Sequence, residues 1–484
     1  MEGNNLSEGE IVEYLYRILD NRFVKFILKE MVEVKKIEKS LGIYAGVIDA
    51  DGFKEKLYAK IVGGAIERGA ERFGVESDVI KNFLKDPYMR KGFAVIMSSI
   101  AEYGITRPQR LIAPFMVVWD FTKQCNLRCK HCYANTSSSP ADDELNLEER
   151  KQIVDQLDET GVAAISFSGG EPLVNKDLWE VAKYASGKGF YLSVATNGTL
   201  ITKENAKRLR ESGIRYVEVS LDGPKDVHDE FRGIDGAFDR SVAGIKNARD
   251  AGLSTGIAMT VTRYNLETVP EMIKFARNLK VDRFIVFNFI PTGRGKDIVK
   301  DDLTPEEREE LMKYLYDEWQ KDDLQIFSTC PAYARVSIVE KEKRNKGTIS
   351  PTHFTEIEFP EEFSGVAKAL TEFIGGCGAG RVYCSVEHNG DIQPCVFIPV
   401  KVGNVLRDGF SNVWKNNEIM NSLRDRDAAD YACRSCEFRY VCGGCRARAY
   451  VYYDNLKGPD PGCILMKEEW KKLTSKEICC AKVR

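Results

Sequence analysis

The sequence predicts an α/β protein with a parallel sheet, which follows a helical N-terminal domain and precedes a cysteine-rich C-terminal region. Six short apolar runs alternate with amphipathic stretches of helical periodicity: FMVVWDF, AAISFSG, YLSVATN, YVEVSLD, GIAMTVT and RFIVFNFIP. Such βα units in series predict a parallel sheet. The length of 484 residues exceeds one ordinary core, so two or three domains are expected.

Residues 1–110 are predicted to form the helical domain. Ser7 and Glu10 form a capping-box pattern, and apolar residues from Ile11 to Ile27 follow at roughly helical spacing. No alternating strand pattern precedes residue 110. The sequence around Pro108 is the expected connection to the core.

Residues 111–325 contain the predicted α/β core. Asn146 with Glu149, and Thr304 with Glu307, form capping boxes at the start of two of its helices. Periodicity alone does not decide whether the sheet curls into a barrel or stays open. In both arrangements functional residues lie at the carboxyl ends of the strands.

The rest of the chain divides into two parts. Residues 326–374 are charged and irregular, and we interpret them as a linker; residues 375–484 are dense in Gly and Cys. The sequence from His388 to Asp391, HNGD, predicts a hairpin turn. Because this region has little continuous apolar periodicity, we expect its cysteines to hold it together.

Composition restricts the function classes. The formal net charge is −3, so no global basic field attracts nucleic acid. No apolar run approaches the roughly 20 residues of a membrane-spanning helix, and the acidic, polar N-terminus argues against a secretory signal. Fourteen cysteines without a signal indicate a reducing, cytoplasmic setting, where clustered cysteines bind metal or catalyse more often than they form disulfides.

Three cysteines follow the first predicted strand: Cys125, Cys129 and Cys132. A structural zinc site takes four ligands, so three leave it incomplete. Three thiolates suit a cubane iron–sulfur cluster in which one iron has no protein ligand and is open to chemistry. An incomplete zinc site and three incidental thiols are the alternatives.

Polar motifs end the next three strands. They are Gly169, Gly170 and Glu171 after the second strand, Asn197 after the third, and Ser220 and Asp222 after the fourth. Glycines allow close backbone approach, and a carboxylate accepts hydrogen bonds from an ammonium group. Each motif alone could be an ordinary turn.

The CxxxCxxC spacing followed by the GGE motif resembles the radical S-adenosylmethionine (radical SAM) family. The resemblance implies a partial (β/α)6 TIM-like barrel, with a 4Fe–4S cluster on the three cysteines that binds S-adenosylmethionine. It implies that Glu171 holds the amino group of the methionyl moiety, and it assigns the motifs after the third and fourth strands to the nucleoside pocket. Tyr133 is counted among the cofactor-binding residues, and His131 is expected in the pocket wall.

A second set of cysteines resembles the SPASM extension, which carries auxiliary iron–sulfur clusters beside a radical SAM core. Its tight run has gaps of two, five and two residues, a departure from the family because the last gap is usually three. The resemblance implies one cluster on Cys433, Cys436, Cys442 and Cys463. It implies another on Cys377, Cys384, Cys395 and Cys445. Two complete sets of four leave no open iron.

Other interpretations of these cysteines remain open. A zinc ribbon over residues 433–445 has suitable ligands, but it leaves the upstream cysteines unexplained. Three further cysteines lie outside both sets and are interpreted as ordinary buried or exposed thiols: Cys330, Cys479 and Cys480.

By resemblance, the protein is expected to cleave S-adenosylmethionine reductively to a 5′-deoxyadenosyl radical that removes hydrogen from an unactivated C–H bond. A low-potential donor such as ferredoxin or flavodoxin would supply the electron. The core looks most like the SPASM enzymes that modify tetrapyrrole side chains in haem and haem d1 pathways, which predicts an oxidative modification of that kind. Peptide maturation and radical C–C coupling of membrane-lipid chains are the alternatives. A non-enzymatic iron–sulfur electron carrier would not need polar motifs at successive strand ends.

Overall fold

The computed structural model describes residues 33–72, 76–321, 324–344 and 375–475. The predicted α/β class with a parallel sheet is confirmed over these residues. No helix among them is long and apolar enough to cross a membrane. The capping box predicted at Ser7 lies outside the described residues.

The N-terminal part of the described chain is helical. Its helices are α1 (Val34–Tyr44), α2 (Phe53–Arg72), α3 (Ser77–Phe83) and α4 (Pro87–Tyr103). Ile37 and Leu41 of α1 pack with Val95 of α4 into a core that also includes Leu111 and Val382. This helical part is therefore attached to both the sheet and the C-terminal region.

Seven parallel strands form most of the central sheet, each beside the next one in the chain. They are β1 (Met116–Asp120), β2 (Ala164–Ser168), β3 (Tyr191–Thr196), β4 (Tyr216–Ser220), β5 (Ser254–Val261), β6 (Arg283–Asn288) and β7 (Gln325–Ser328). The first six coincide with the six predicted runs. The sheet stays open, with β7 at one edge.

The connecting helices cover one face of the sheet, because right-handed crossovers between successive neighbours all lie on the same side. They are α5 (Leu147–Thr160), α6 (Leu178–Gly187), α7 (Lys203–Glu211), α8 (Lys225–Arg232), α9 (Ala237–Asp250), α10 (Val269–Leu279) and α11 (Pro305–Trp319). Both predicted capping boxes are confirmed, at the starts of α5 and α11.

The two faces of the sheet carry different residues. Val117, Ile165 and Val217 pack against the helices in the main core. Their strand neighbours Met116 and Ser166 line a cavity on the other face, because successive side chains of a strand point to opposite faces. The helix-free face is therefore the inner one.

The core extends beyond the predicted boundary. Residues 326–344, which we assigned to a linker, form most of β7 and α12 (Ala332–Arg344). β7 pairs in parallel with β6, and Ile326 and Tyr333 are buried in the main core. The linker prediction is wrong here because a strand of four residues is too short to show alternation, and the charges of KEKR obscured the apolar start of α12. Residues 345–374 lie outside the described chain.

The C-terminal region joins the same sheet. β8 (Tyr383–Val386) pairs in parallel with β1, and β9 (Asp391–Gln393) and β10 (Gly403–Asn404) continue in antiparallel pairing. The predicted hairpin turn joins β8 to β9, with Gly390 at a φ of 82°. Short helices follow: α13 (Val405–Asp408), α14 (Phe410–Asn416), α15 (Glu418–Arg424), α16 (Arg446–Tyr453) and α17 (Lys467–Ser475).

Candidate active site

The inner face of the sheet borders a cavity of about 270 Å³. The three cysteines after β1 line it, together with Cys377, Cys395 and Cys445 from the C-terminal region. Five other predicted site residues also line it: Tyr133, Gly169, Gly170, Asn197 and Ser220. Cysteines that are distant in sequence therefore share one cavity.

Each cysteine sulfur of the loop after β1 has a polar group beside it. Leu127 N donates to Cys125 Sγ at 3.4 Å, Arg232 Nη1 donates to Cys129 Sγ at 3.6 Å, and Thr136 Oγ1 lies 3.6 Å from Cys132 Sγ. Donors of this kind stabilise thiolates. Burial raises the pKa of the Cys125 thiol to about 12, so binding of a metal here must release a proton.

Arg294 holds the same loop from its other side. Its guanidinium donates to the carbonyl oxygens of Cys129 at 3.0 Å and Thr136 at 2.7 Å. Its backbone N donates to Cys132 O at 2.9 Å. Sequence reasoning did not select Arg294, whose only signal was the TGRG sequence after the sixth strand. It acts as a positioning residue for the cysteine loop.

The GGE motif packs directly on the cysteine loop. Gly170 N donates to Thr122 O at 2.7 Å, and Glu171 N donates to Gln124 O at 2.8 Å. A Cβ on Gly170 would overlap the Gln124 carbonyl, and one on Gly169 would lie 2.8 Å from Thr122 O. The two glycines are therefore required for contact between the loops that follow β1 and β2.

The Glu171 carboxylate is fully buried and faces the end of β3. Its Oε1 accepts hydrogen bonds from Thr196 Oγ1 at 2.7 Å and Leu173 N at 3.2 Å, and its Oε2 accepts one from Asn197 N at 2.8 Å. Burial raises the pKa of Glu171, although these donors oppose the rise. Three of the roughly four acceptor positions of the carboxylate are thus used. The residues that line the cavity do not include Glu171, so its contact with an ammonium group stays a prediction.

Asn197 connects the end of β3 to the cysteine loop. Its Nδ2 donates to Asn126 Oδ1 at 2.8 Å, and its Oδ1 accepts from Thr199 N at 2.9 Å. Ser220 ends β4 on the same face of the sheet. Both residues therefore lie where a small ligand beside the cysteine loop would meet them.

Asp222 lies behind the cavity wall and holds a buried ionic cluster. Its Oδ2 is 2.6 Å from Arg232 Nε and 3.6 Å from His131 Nε2. Burial alone would raise the pKa of Asp222, but Arg232 and the nearby histidines outweigh it and the pKa is lowered. Arg232 also donates to Cys129 Sγ. The Asp222–Arg232 pair therefore holds a cation beside this cysteine of the loop. The sequence HDEFRG contains Arg232, but it fits an ordinary salt-bridged helix equally well.

The residues on either side of Cys132 both line the cavity. The Tyr133 hydroxyl donates to Asp120 Oδ1 at 3.0 Å, and the Tyr133 ring meets Phe397 edge-on with 5.1 Å between centroids. His131 stacks on Phe231 with 4.2 Å between ring centroids. The Tyr133–Phe397 contact joins the cysteine loop to the C-terminal region.

Cys377, Cys395 and Cys445 form the second cysteine group of the cavity, and they pack in one small core that also contains Ile290. The Tyr383 hydroxyl donates to Cys395 Sγ at 2.7 Å. Cys445 is the N-cap of α16 and its sulfur accepts from a backbone N of the first turn at 3.4 Å. Positive partial charge at a helix N-terminus favours an anionic sulfur there.

Cys384, which we grouped with these three, lies on the other face of the sheet. The register of β8 on β1 places Tyr383 opposite Met116 and Cys384 opposite Val117. Tyr383 and Met116 line the cavity, whereas Cys384 and Val117 are buried in the core on the helix side. The structure therefore differs from the expected set of four.

The remaining SPASM-type cysteines lie together elsewhere: Cys433, Cys436, Cys442 and Cys463. Burial raises the pKa of Cys442, and the thiols of Cys463 and Cys433 raise it further. The thiol of Cys436 likewise raises the pKa of Cys433. Gly444 N donates to Cys442 Sγ at 3.4 Å. Cys330 is buried in the main core.

Comparison with known proteins identifies the family. Residues 119–276 match the Radical SAM superfamily, and residues 377–437 match SPASM, an iron–sulfur cluster-binding domain. The AdoMet-dependent heme synthase of Methanosarcina barkeri is 36% identical over 355 residues, which are 73% of this chain and 97% of that protein. The chain belongs to the radical SAM superfamily.

Other matches of this radical SAM enzyme carry different names. Mycofactocin maturase MftC of Mycolicibacterium smegmatis is 34% identical over 365 residues, which are 73% of this chain and 83% of that protein. Streptococcus suis SuiB, solved with its precursor peptide SuiA, has a TM-score of 0.61 at 22% identity and covers 88% of this chain and 92% of its own. SuiB shows the common fold.

The radical SAM core binds a 4Fe–4S cluster and S-adenosylmethionine, and the SPASM domain binds auxiliary iron–sulfur clusters. The residues present fit these groups, since each cysteine of the core loop has a polar group beside its sulfur. The described residues contain no group of three or more Cys, His, Asp or Glu that could hold a single metal ion. A cubane instead bonds its thiolates to separate irons and so takes a wider arrangement.

Proposed function

We propose that this radical SAM enzyme oxidises a side chain of a haem-type tetrapyrrole. The observation that carries the proposal is the shared cavity, whose wall contains both the core cysteines and three SPASM cysteines. A substrate in this cavity would lie between two groups. The cofactor held at the core cysteines would supply the radical that takes a hydrogen atom, and the auxiliary cluster would take an electron. Loss of both is an oxidation.

S-adenosylmethionine bound at the core supplies the 5′-deoxyadenosyl radical for hydrogen removal. The residues of the chain contribute position and shielding. Arg294 and the GGE motif fix the cysteine loop from two sides, and Glu171 fixes the turn that carries Asn197. Fixed geometry brings reacting atoms close, and exclusion of water protects a reactive species.

Part of the cavity wall suits the apolar ring system of a tetrapyrrole. Aliphatic and aromatic side chains line it beside the cysteines: Ile285, Phe287, Phe289, Ile290 and Phe397. Polar side chains share the wall, among them Glu218, Ser220 and Thr260, so the cavity suits a ligand with an apolar body and polar groups. A relative named heme synthase, matched along 97% of its length, supports the same substrate class.

The test is anaerobic incubation of the reconstituted protein with S-adenosylmethionine, dithionite and an iron porphyrin deuterated on its propionate side chains. We expect deuterium in the 5′-deoxyadenosine that forms, and none from the same porphyrin deuterated at its meso positions. Deoxyadenosine without deuterium would contradict the substrate. A lack of deoxyadenosine, with the clusters intact, would contradict the reaction itself.

A ribosomal peptide is the second candidate, favoured by the relative named mycofactocin maturase. Leader peptides of such enzymes are usually bound by a module of helices and strands. The described residues before β1 contain helices as their only regular elements, which favours the porphyrin. The deuterium experiment repeated with a labelled precursor peptide would separate the two candidates.

We further propose that the enzyme works in the cytoplasm with ferredoxin or flavodoxin as electron donor. The described cysteines are all free thiols, which suits a reducing compartment. Iron–sulfur potentials extend down to about −700 mV, and reduction near that limit needs a strong biological reductant. Replacing dithionite by either reduced protein should sustain deoxyadenosine formation.

A further inference from the structure

We propose that an acidic electron-carrier protein docks on the outer side of the core cysteine loop, on a surface formed by Arg128, Lys130 and Tyr264. We call these three residues the docking surface. The inference rests on the proposed function, because it takes a carrier protein as the source of the electron. In this step the carrier loses one electron, the cluster held by the core cysteines gains it, and no bond forms or breaks.

The outer side of the core cysteine loop lies in solvent. Asn126, Arg128 and Lys130 are exposed, whereas Leu127 and Cys129 between them are buried and line the cavity. Successive residues of the loop therefore alternate between solvent and the cavity. A protein that touches Arg128 and Lys130 is thus one residue along the chain from Cys129.

A stack of three rings connects the loop to the surface. His131, next to Cys132, lies against Phe231 with 4.2 Å between ring centroids and 15° between ring planes. Phe231 lies in turn against Tyr264, with 5.7 Å between centroids and 21° between planes. Phe231 is buried, whereas Tyr264 is 41% exposed. Electron tunnelling weakens steeply with distance, and packed atoms carry it better than gaps, so the stack offers a short path from a carrier at Tyr264 to the loop.

The docking surface is held in place by the end of α8. Lys130 N donates to Phe231 O at 3.0 Å. Glu230 of the same helix accepts from the Tyr264 hydroxyl at 2.5 Å and lies 2.8 Å from Lys130 Nζ. The Lys130 ammonium also lies 5.8 Å from the centroid of the Tyr264 ring. Because the surface is already formed, a carrier that binds here has few side chains to order.

The charges of the docking surface favour an acidic partner. Glu230 is shared by Lys130 and Tyr264, and the exposed Arg128 has no ion pair among the residues that the structure describes. The chain as a whole has a net charge of −3, so a local cation would orient an acidic carrier toward this side. Electron-transfer complexes are typically small and transient, and arginine and tyrosine are enriched in interfaces.

A competing surface lies beside the other SPASM cysteines. Cys436 and Cys463 are partly exposed there, Leu465 is 58% exposed, and Arg434 is exposed. An electron could enter the protein at this second surface. Arg434→Glu is therefore the matched control for Arg128→Glu, because each variant reverses the charge of an exposed arginine close in sequence to a cysteine.

The first experiment measures binding of the oxidised carrier to the full-length reconstituted protein by isothermal titration calorimetry. The carrier is flavodoxin or ferredoxin, whichever reduces the wild-type protein, and failure of both would overturn the inference. At low salt we expect Arg128→Glu to weaken binding about tenfold or more, and Arg434→Glu to leave it unchanged. The loss should shrink with added salt, because the Debye length falls from about 30 Å at 0.01 M to about 3 Å at 1 M. Equal affinity of Arg128→Glu and the wild type, or weakening only in Arg434→Glu, would overturn the docking surface.

The second experiment tests the ring path. The rate of reduction is followed by the electron paramagnetic resonance signal that is absent when the three core cysteines are alanine. Each protein is mixed with reduced carrier and, in parallel, with dithionite, a small reductant that needs no docking. The ratio of the two rates should fall about tenfold in Tyr264→Leu, as for loss of an aromatic interface residue, and stay near the wild-type ratio in Tyr264→Phe. An unchanged ratio in Tyr264→Leu, or an equal loss in Tyr264→Phe, would overturn the role of the ring.

Neither experiment uses a porphyrin. Normal docking and reduction without deuterium transfer from the porphyrin would reject the tetrapyrrole and keep the docking surface. Deuterium transfer driven by dithionite, with equal carrier binding in Arg128→Glu and the wild type, would keep the tetrapyrrole and reject the docking surface.

Discussion

Replacement of Glu171 by glutamine should both destabilise the protein and weaken its binding of S-adenosylmethionine. The carboxylate accepts three hydrogen bonds in a site with no solvent exposure. An amide accepts on its oxygen only. Its NH2 group must therefore face the backbone N–H of either Asn197 or Leu173, and that donor loses its acceptor.

A buried donor without a partner costs about 1–3 kcal/mol, and we expect the free energy of unfolding to fall by that amount. Loss of a charge-assisted hydrogen bond to the ammonium group of S-adenosylmethionine costs about 1.5–3 kcal/mol, which is roughly a ten- to hundredfold loss of affinity. The turn carrying Asn197 is also bonded to Asn126 of the cysteine loop, so a change at Glu171 reaches that loop as well.

Chemical denaturation under anaerobic conditions measures the first effect, and equilibrium dialysis of labelled S-adenosylmethionine measures the second. Glu159→Gln, which changes an exposed carboxylate of α5, is the control and should stay within about 0.5 kcal/mol of the wild type. Unchanged stability of Glu171→Gln would refute the hydrogen-bond argument. Unchanged affinity at normal iron content would mean that the ammonium group binds elsewhere.

Three further predictions follow from the site. Alanine at all three core cysteines should abolish 5′-deoxyadenosine formation while the SPASM iron remains, as iron analysis would show; continued cleavage would contradict the assignment. Gly170→Ala should cost about 1–3 kcal/mol, because the methyl group overlaps the Gln124 carbonyl, whereas Gly187→Ala has open space and should not; equal unfolding midpoints would refute this. Burial lowers the pKa of His228 to about 4, so the unfolded chain, with a histidine pKa near 6.5, takes up a proton that the folded chain resists. Stability should therefore fall by up to about 1.4 kcal/mol per pH unit as the pH drops from about 6.5 toward 4, and denaturation curves of His228→Gln should lack that part of the slope.

The strands of the core were predictable because each buried run is apolar, β-branched and followed by an amphipathic helix. The caps at Asn146 and Thr304 were predictable because their hydrogen bonds are local in sequence. β7 was not, since a strand of four residues carries almost no periodic signal. Elements with a local sequence pattern were therefore predicted, and β7, which lacks such a pattern, was missed.

The residues of the candidate site also divide into those that a local motif predicted and those that lacked such a motif. CxxxCxxC and GGE gave the residues around the core cysteines, but the two arginines that hold them, Arg232 and Arg294, were missed because a buried arginine is recognised by its partners. Cys384 was grouped by its spacing along the chain. The face of the sheet on which Cys384 lies depends on the register of β8 with β1. The spacing between cysteines along the chain gives no information about that register.

The pairing of β8 with β1 also determines when the protein can be completed during synthesis. β1 gains β2 as a neighbour once residue 168 has been made, but its other edge has no partner until Tyr383–Val386 follow. Chains fold from the N-terminus as they emerge, and an exposed edge of an apolar strand can pair with other chains. One edge of β1 therefore stays unpaired from the synthesis of β1 until the synthesis of β8. A chain that stops before Tyr383 should aggregate through Met116–Asp120 although its remaining strands are formed.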